Sequence, residues 1–296
     1  MKGSAILRML VCLVAFSAAG PRCTKETATQ PSEPWPRNGY VVANGVRLHY
    51  LDWGGNGPVM LLLAGLGNDA HAFNTFAPKF TDSFRVLALT RRGFGKSDRP
   101  AGGYDNATRV EDIRAFLDQL KIDRVHLVGH SMAGDELTLF ATKFPRRVLK
   151  LVYLDAAFNR HGMSAAYSSD PAPMPLPPGD DGRVLAAYFK AIDAFEPDYR
   201  AVSAPALALY AEIERNHPLS AEEGSLARRK ELNAWWAAKM VPMAVASREQ
   251  FRRQMRHGEV VEIPGANHYL FRGNTEDEVV RRTRAFLSDA SQAPNS

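Results

Sequence analysis

The sequence has little cysteine: two in 296 residues, Cys12 and Cys23, both close to the N-terminus. The rest of the chain can therefore hold neither a disulfide framework nor a thiolate metal site. It also lacks a long hydrophobic run near that end. The apolar stretch over residues 9–16 is far shorter than the roughly 20 residues needed to cross a bilayer, so no stable membrane span is expected. A basic stripe interleaved with aromatics is missing too. The formal net charge is only +5, and the pairs Arg91-Arg92, Arg146-Arg147 and Arg281-Arg282 read as solvated faces, which gives no surface for nucleic acid. With 45% hydrophobic and 23% charged residues the composition is that of a globular chain, long enough for one large domain or two small ones.

The opening MKGSAILRMLVCLVAFSAAGPRC carries Lys2 and Arg8, then the apolar stretch, then Ser17, Ala18 and Ala19. That is the layout of a secretory signal peptide, predicted over residues 1–19, and it implies export to the periplasm or the medium. Cleavage after Gly20 would leave Pro21 first, which favours Ala19. Arg22 before Cys23 argues against lipidation. Residues 20–38 are polar and proline-containing and read as a linker, residues 39–290 as the folded domain and 291–296 as a tail.

Two alternating runs flank Asn44-Gly45, the strongest short hairpin signal. Beyond it the pattern changes to continuous apolar runs at 59–64, 85–90, 124–129, 149–155, 205–211 and 259–263. Strands apolar on both faces belong to a parallel sheet covered on both sides. Between them lie helical stripes: Val110, Ile113, Phe116, Leu117 and Leu120; then Leu137, Leu139, Phe140 and Phe144; then Val279, Val280, Thr283 and Phe286. The predicted fold class is α/β, a doubly wound, mostly parallel sheet of about eight strands with an N-terminal antiparallel hairpin. Right-handed crossovers bring the strand C-terminal ends to one edge, where ligands collect.

Residues 157–204 are too long for a plain crossover and read as a small inserted cap, with a proline-rich loop at 168–181 and a helix at 183–195. Met163, Tyr167, Met174, Tyr188, Phe189 and Phe195 either line an apolar pocket or pack the insertion onto the body. A further helix is predicted over 226–240, with Trp235 and Trp236 assigned to the core.

The stretch VHLVGHSMAGDEL (125–137) sets Ser131 between a strand and a helix. A serine there either caps the helix or stands exposed on a sharp turn as a nucleophile. The turn needs small residues two before and two after; Gly129 and Ala133 meet that need, and Gly134 adds room for close packing. A nucleophilic serine also needs a base and an acid to orient the base. His268 follows the strand at 259–263 and so stands at the same edge as Ser131. His257 precedes that strand and faces the other edge, while His161 and His217 lie in loops. Glu214 and Glu212 follow the strand at 205–211, and Asp155 ends the one before it.

These stretches resemble the α/β-hydrolase family. HLVGHSMAG is similar to its nucleophile elbow, LLLAGLG (61–67) to its oxyanion loop, TRRGFGKSD (90–98) to the turn after the next strand, and PGANHYLF (264–271) to its histidine loop. The similarity runs over roughly residues 40–290 and is weakest in 157–204. It implies the α/β-hydrolase fold, Ser131 as nucleophile, His268 as base and Glu214 as acid, with Asp155 as the alternative position. It also implies backbone N–H donors from Leu66 and Met132 for the oxyanion. Where members often carry His-Gly, this chain has Ala64-Gly65, which removes a side chain beside the hole but not the donors. Arg92, Gly93, Gly95 and Ser97 are taken as turn architecture. Serine at the elbow argues against the aspartate-nucleophile relatives, such as epoxide hydrolases and dehalogenases. The function expected is hydrolysis of a carboxylic ester or related acyl bond of a small molecule, with no cofactor and no metal. Other chemistry on the same fold (lactone, carbon-carbon, peptide or perhydrolysis) and non-catalytic binding stay open.

Overall fold

The computed structural model describes residues 35–173, 175–221 and 224–290. The predicted signal (1–19), residues 20–34 of the linker, Met174 and the tail (291–296) lie outside the described residues. No helix among the described residues is long and apolar enough to cross a membrane.

The chain opens with β1 (Arg37–Ala43) and β2 (Val46–Gly54), joined at Asn44-Gly45 with φ of 48° and 75°. Both residues are left-handed, as a two-residue hairpin turn requires. Then come β3 (Val59–Leu63), β4 (Arg85–Leu89), α1 (Asn106–Gln119), β5 (Val125–His130), α2 (Ala133–Lys143) and β6 (Val148–Leu154). The inserted segment carries α3 (Met163–Tyr167) and α4 (Gly179–Asp193). The chain closes with β7 (Ala206–Tyr210), α5 (Leu226–Gln254), β8 (Gly258–Glu262) and α6 (Glu276–Ser288).

The eight strands form one sheet in the order β1-β2-β4-β3-β5-β6-β7-β8, antiparallel at its first two junctions and parallel at the rest. Each central strand divides its apolar residues between two cores. Leu61, Leu63, Leu87 and Leu89 pack with α1 and α2 residues such as Phe116 and Phe140. Met60, Leu62, Val86 and Ala88 face Phe73, Phe76 and Phe80 and the Val279 and Phe286 stripe of α6. That division is why these strands read as unbroken apolar runs.

Two helices differ from expectation. α4 starts earlier, at Gly179 directly after Pro178, with Asp180 and Asp181 in the first turn where the helix dipole favours them. α5 continues through Pro242 to Gln254, past the expected end near Met240. Its buried face bridges the proline, with Leu232 and Trp235 before it and Ser247, Arg248 and Phe251 after. Packing on both sides outweighs the missing N–H.

Arg91 and Arg92 are buried, not solvated. Arg91 and Arg109 converge on Glu136 at 2.6 and 2.7 Å, and Arg92 meets Asp112 at 2.5 Å. Their partners sit on the inner sides of α1 and α2, so the two arginines point inward from the end of β4. Arg91 also donates to the carbonyl of Ala64, tying the loop after β3 to α2. Burial pushes the Glu136 carboxyl up, but Arg91 and Arg109 outweigh it and hold it below the usual range. Glu136→Gln leaves two buried guanidinium groups without a counter-charge, and a loss of about 3–5 kcal/mol is expected. Denaturant midpoints of the two proteins measure it; a change under about 1 kcal/mol would show the network to be dispensable.

Candidate active site

Ser131 stands between β5 and α2 with φ of 55°, a left-handed conformation that costs a non-glycine residue energy and is held by its surroundings. Its N–H donates to the carbonyl of Leu154 at 3.2 Å, pinning the turn to the end of β6. Space around it is short. A Cβ at Gly129 would lie 2.7 Å from Leu137 Cδ1 and 2.9 Å from Ala133 Cβ, and one at Gly134 would lie 1.9 Å from the Ala156 carbonyl. Gly65 lets the loop after β3 approach: a Cβ there would stand 2.8 Å from His130 Nδ1 and 3.1 Å from Ser131 Cβ. The turn thus requires small residues at the positions where the sequence has them.

His268 bridges the site. Its Nε2 lies 3.0 Å from Ser131 Oγ and its Nδ1 2.7 Å from Asp155 Oδ2. A carboxylate can only accept from Nδ1–H, which leaves Nε2 as acceptor for the serine hydroxyl. Asp155 is buried and also has a positive φ, 45°. Its second oxygen accepts from the Ala211 N–H at 3.2 Å.

Glu214, expected to orient His268, does not touch it. Its side chain accepts from the Asn216 N–H and its carbonyl from Trp236 Nε1. Glu212 is spent on the Gly265 N–H. β6 lies directly beside β5, so the residue just after β6 reaches the imidazole first; Ala211, just after β7, contributes a backbone N–H to Asp155 instead of a carboxylate. Asp155, the alternative position, therefore occupies the place assigned to Glu214. Of the other histidines, His161 and His257 are exposed, and His217 pairs with Asp170 at 3.3 Å.

His130 had no expected role. Its Nε2–H donates to the His268 carbonyl at 2.9 Å, and its ring lies 4.6 Å from that of His268. Burial, with the nearby His268, pushes it well below the usual imidazole range, so it stays neutral. It holds the His268 loop rather than sharing its proton. The signal was its place next to Ser131.

Ser131, Leu66, Met132 and His268 share one cavity of about 560 Å³. Among the described residues the N–H groups of Leu66 and Met132 donate to no protein acceptor. From the insertion, Met163, Tyr167 and Phe189 line the cavity as one of the two expectations had it, whereas Tyr188 packs beneath, its hydroxyl bonded to the Arg92 carbonyl. Phe195 is half-buried away from the cavity. Trp235 packs inward, but Trp236 lines the cavity instead of the core. The far half of α5, not foreseen as helix, supplies Met243, Ala244 and Ser247.

Comparison with known proteins bears on the fold that carries this site. Residues 58–203 match the family described as alpha/beta hydrolase fold. An uncharacterized protein of Mycobacterium tuberculosis is 36% identical over 102 residues, 34% of this chain and 30% of its own length. A soluble epoxide hydrolase of Corynebacterium sp. is 32% identical over 136 residues, 46% of each chain. The chain therefore spans less than half the length of either relative. A solved meta-cleavage product hydrolase from Pseudomonas fluorescens superposes with a TM-score of 0.64 at 20% identity, over 85% of this chain and 98% of the other. With its sheet order, its elbow and the match over residues 58–203 together, the chain has the α/β-hydrolase fold.

Proposed function

We propose that the protein is a serine hydrolase that cleaves a carboxylic ester or related acyl bond of a small molecule. One observation carries the reading: His268 lies in hydrogen-bond reach of Ser131 Oγ on one side and Asp155 on the other. Ser131 Oγ attacks the acyl carbon while His268 Nε2 takes its proton, and Asp155 stabilises the imidazolium. The oxyanion is received by the N–H groups of Leu66 and Met132. His268 then gives the proton to the leaving alkoxide, and the alcohol departs from an acyl-Ser131 ester. A water that loses its proton to His268 attacks that ester and releases the carboxylic acid and free serine.

The epoxide chemistry in the name of the Corynebacterium relative is set aside on chemical grounds. Opening an epoxide with a serine hydroxyl makes an ether, which this site has no means to hydrolyse; a carboxylate nucleophile would make a cleavable ester. Export is part of the proposal and rests on the layout of residues 1–19.

A fluorophosphonate is expected to label the folded protein at Ser131, and Ser131→Ala to lose both labelling and ester turnover while remaining folded. A folded wild type that resists the probe would refute the reading. Asp155→Asn is expected to lower kcat on the order of a thousandfold or more, since the wrong tautomer then faces the serine, and Glu214→Gln to leave it within about threefold. A larger loss from Glu214→Gln would reverse the assignment. Mass spectrometry of exported protein should find an N-terminus after Ala19; an intact Met1 in that fraction would refute cleavage.

A further inference from the structure

The cavity is mainly lined by methionine, aliphatic and aromatic side chains, and two guanidinium groups stand in it, Arg160 and Arg248. They differ in what they have left to give. Arg248 uses one terminal nitrogen on the Ala211 carbonyl at 2.6 Å and approaches Glu262 at 3.3 Å with the other; its spare Nε is sealed from solvent. That is a structural role, tying α5 to the ends of β7 and β8. Arg160 has a single long contact, from Nη1 to Asp135 Oδ1 at 3.3 Å, and its guanidinium lies 5.2 Å above the Phe158 ring. Its remaining N–H groups have no acceptor given among the described residues. Its side chain is 11% exposed, and no Arg160 nitrogen is among the sealed, unpaired atoms.

Asp135 is a weak competitor for this arginine. It lies in the first turn of α2, buried, with one oxygen unpaired. Burial pushes its carboxyl up to about 6, against the pull of Arg160. The acids that also line the cavity are committed elsewhere: Asp155 to His268, Glu212 to the Gly265 N–H and Glu214 to the Asn216 N–H. Arg160 is thus the cation of the cavity with donors to spare. A planar guanidinium on an aromatic ring, short of acceptors in an apolar chamber, fits a planar anion with two oxygens.

We propose that Arg160 is the anion-recognition group of this cavity and that the substrate is an acidic ester, carrying a free carboxylate in addition to the scissile acyl bond. This rests on the acyl-hydrolase reading above and narrows its substrate class. The apolar wall of Met163, Phe189 and Met243 takes the carbon chain between the two groups, and Arg160 fixes its charged end, so that the acyl carbon is presented to Ser131.

The test compares acid and neutral esters of equal length in two series. In one the carboxylate is on the acyl side, as in monoethyl glutarate against ethyl pentanoate; in the other it is on the alcohol side, as in the acetate ester of 4-hydroxybutyric acid against butyl acetate. In at least one series the wild type is expected to favour the acid ester in kcat/KM by about tenfold or more. Arg160→Met should reduce that preference by at least tenfold, and Arg160→Lys should keep part of it. The double variant Arg160→Met with Asp135→Asn removes the buried carboxylate that the single variant strands, and should show the same loss if the single variant folds poorly. No preference in either series, or equal losses on acid and neutral esters, would overturn the proposal. Fluorophosphonate labelling of the same wild-type preparation separates the two readings. Labelling and neutral-ester turnover without acid preference refute only the role of Arg160, whereas neither labelling nor any turnover refutes the acyl-hydrolase reading itself.

Discussion

A fully buried carboxylate, Glu136 on α2, organises the ground on which the candidate site stands. It draws Arg109 from α1 and Arg91 from the end of β4 into one ion network, and Arg91 passes on a hydrogen bond to the Ala64 carbonyl. The loop that brings Leu66 beside Ser131 is therefore fastened to the helix that follows Ser131. Leu66 and Met132, which line the cavity beside Ser131, come from chain segments far apart in sequence, and this network holds them in one frame. Burying three charges is costly unless they are paired, so removing any one of them is strongly destabilising.

On that frame the sheet order decides which residues meet. Ser131 directly follows β5 and Asp155 directly follows β6, its parallel neighbour, while His268 follows β8 and reaches back over the edge. Ser131 and Asp155 both sit at left-handed φ, so the chain turns sharply at the ends of adjacent strands and leaves both side chains at the edge. His130 adds the third constraint by holding the carbonyl of His268. His268 is thus fixed through its ring by Asp155 and through its backbone by His130.

Much of this was legible in the sequence, and for physical reasons. Apolar runs mark strands buried on both faces, Asn44-Gly45 marks the hairpin, and Gly129, Ala133 and Gly134 mark a turn with no room for a larger side chain. His268 was singled out by the resemblance of its loop and, independently, by direction, since a residue after a parallel strand falls on the C-terminal edge. What failed was spatial neighbourhood. The sequence does not say which strand lies beside β5, so it could not choose between the carboxylates after β6 and β7. The burial of Arg91 was hidden for the same reason, because its partner Glu136 becomes a neighbour only when α2 packs. The helix read from the sequence stopped at Met240, so the second half of α5, which forms a wall of the cavity, was missed.

The proposed chemistry requires Ser131, His268 and the N–H groups of Leu66 and Met132 to converge on one reacting centre. A crystal structure of the protein inactivated by a phosphonate ester tests it most directly. Phosphorus is expected bonded to Ser131 Oγ, with the phosphoryl oxygen within about 3 Å of the backbone nitrogens of both Leu66 and Met132. An adduct on another residue, or a phosphoryl oxygen turned away from both nitrogens, would contradict it.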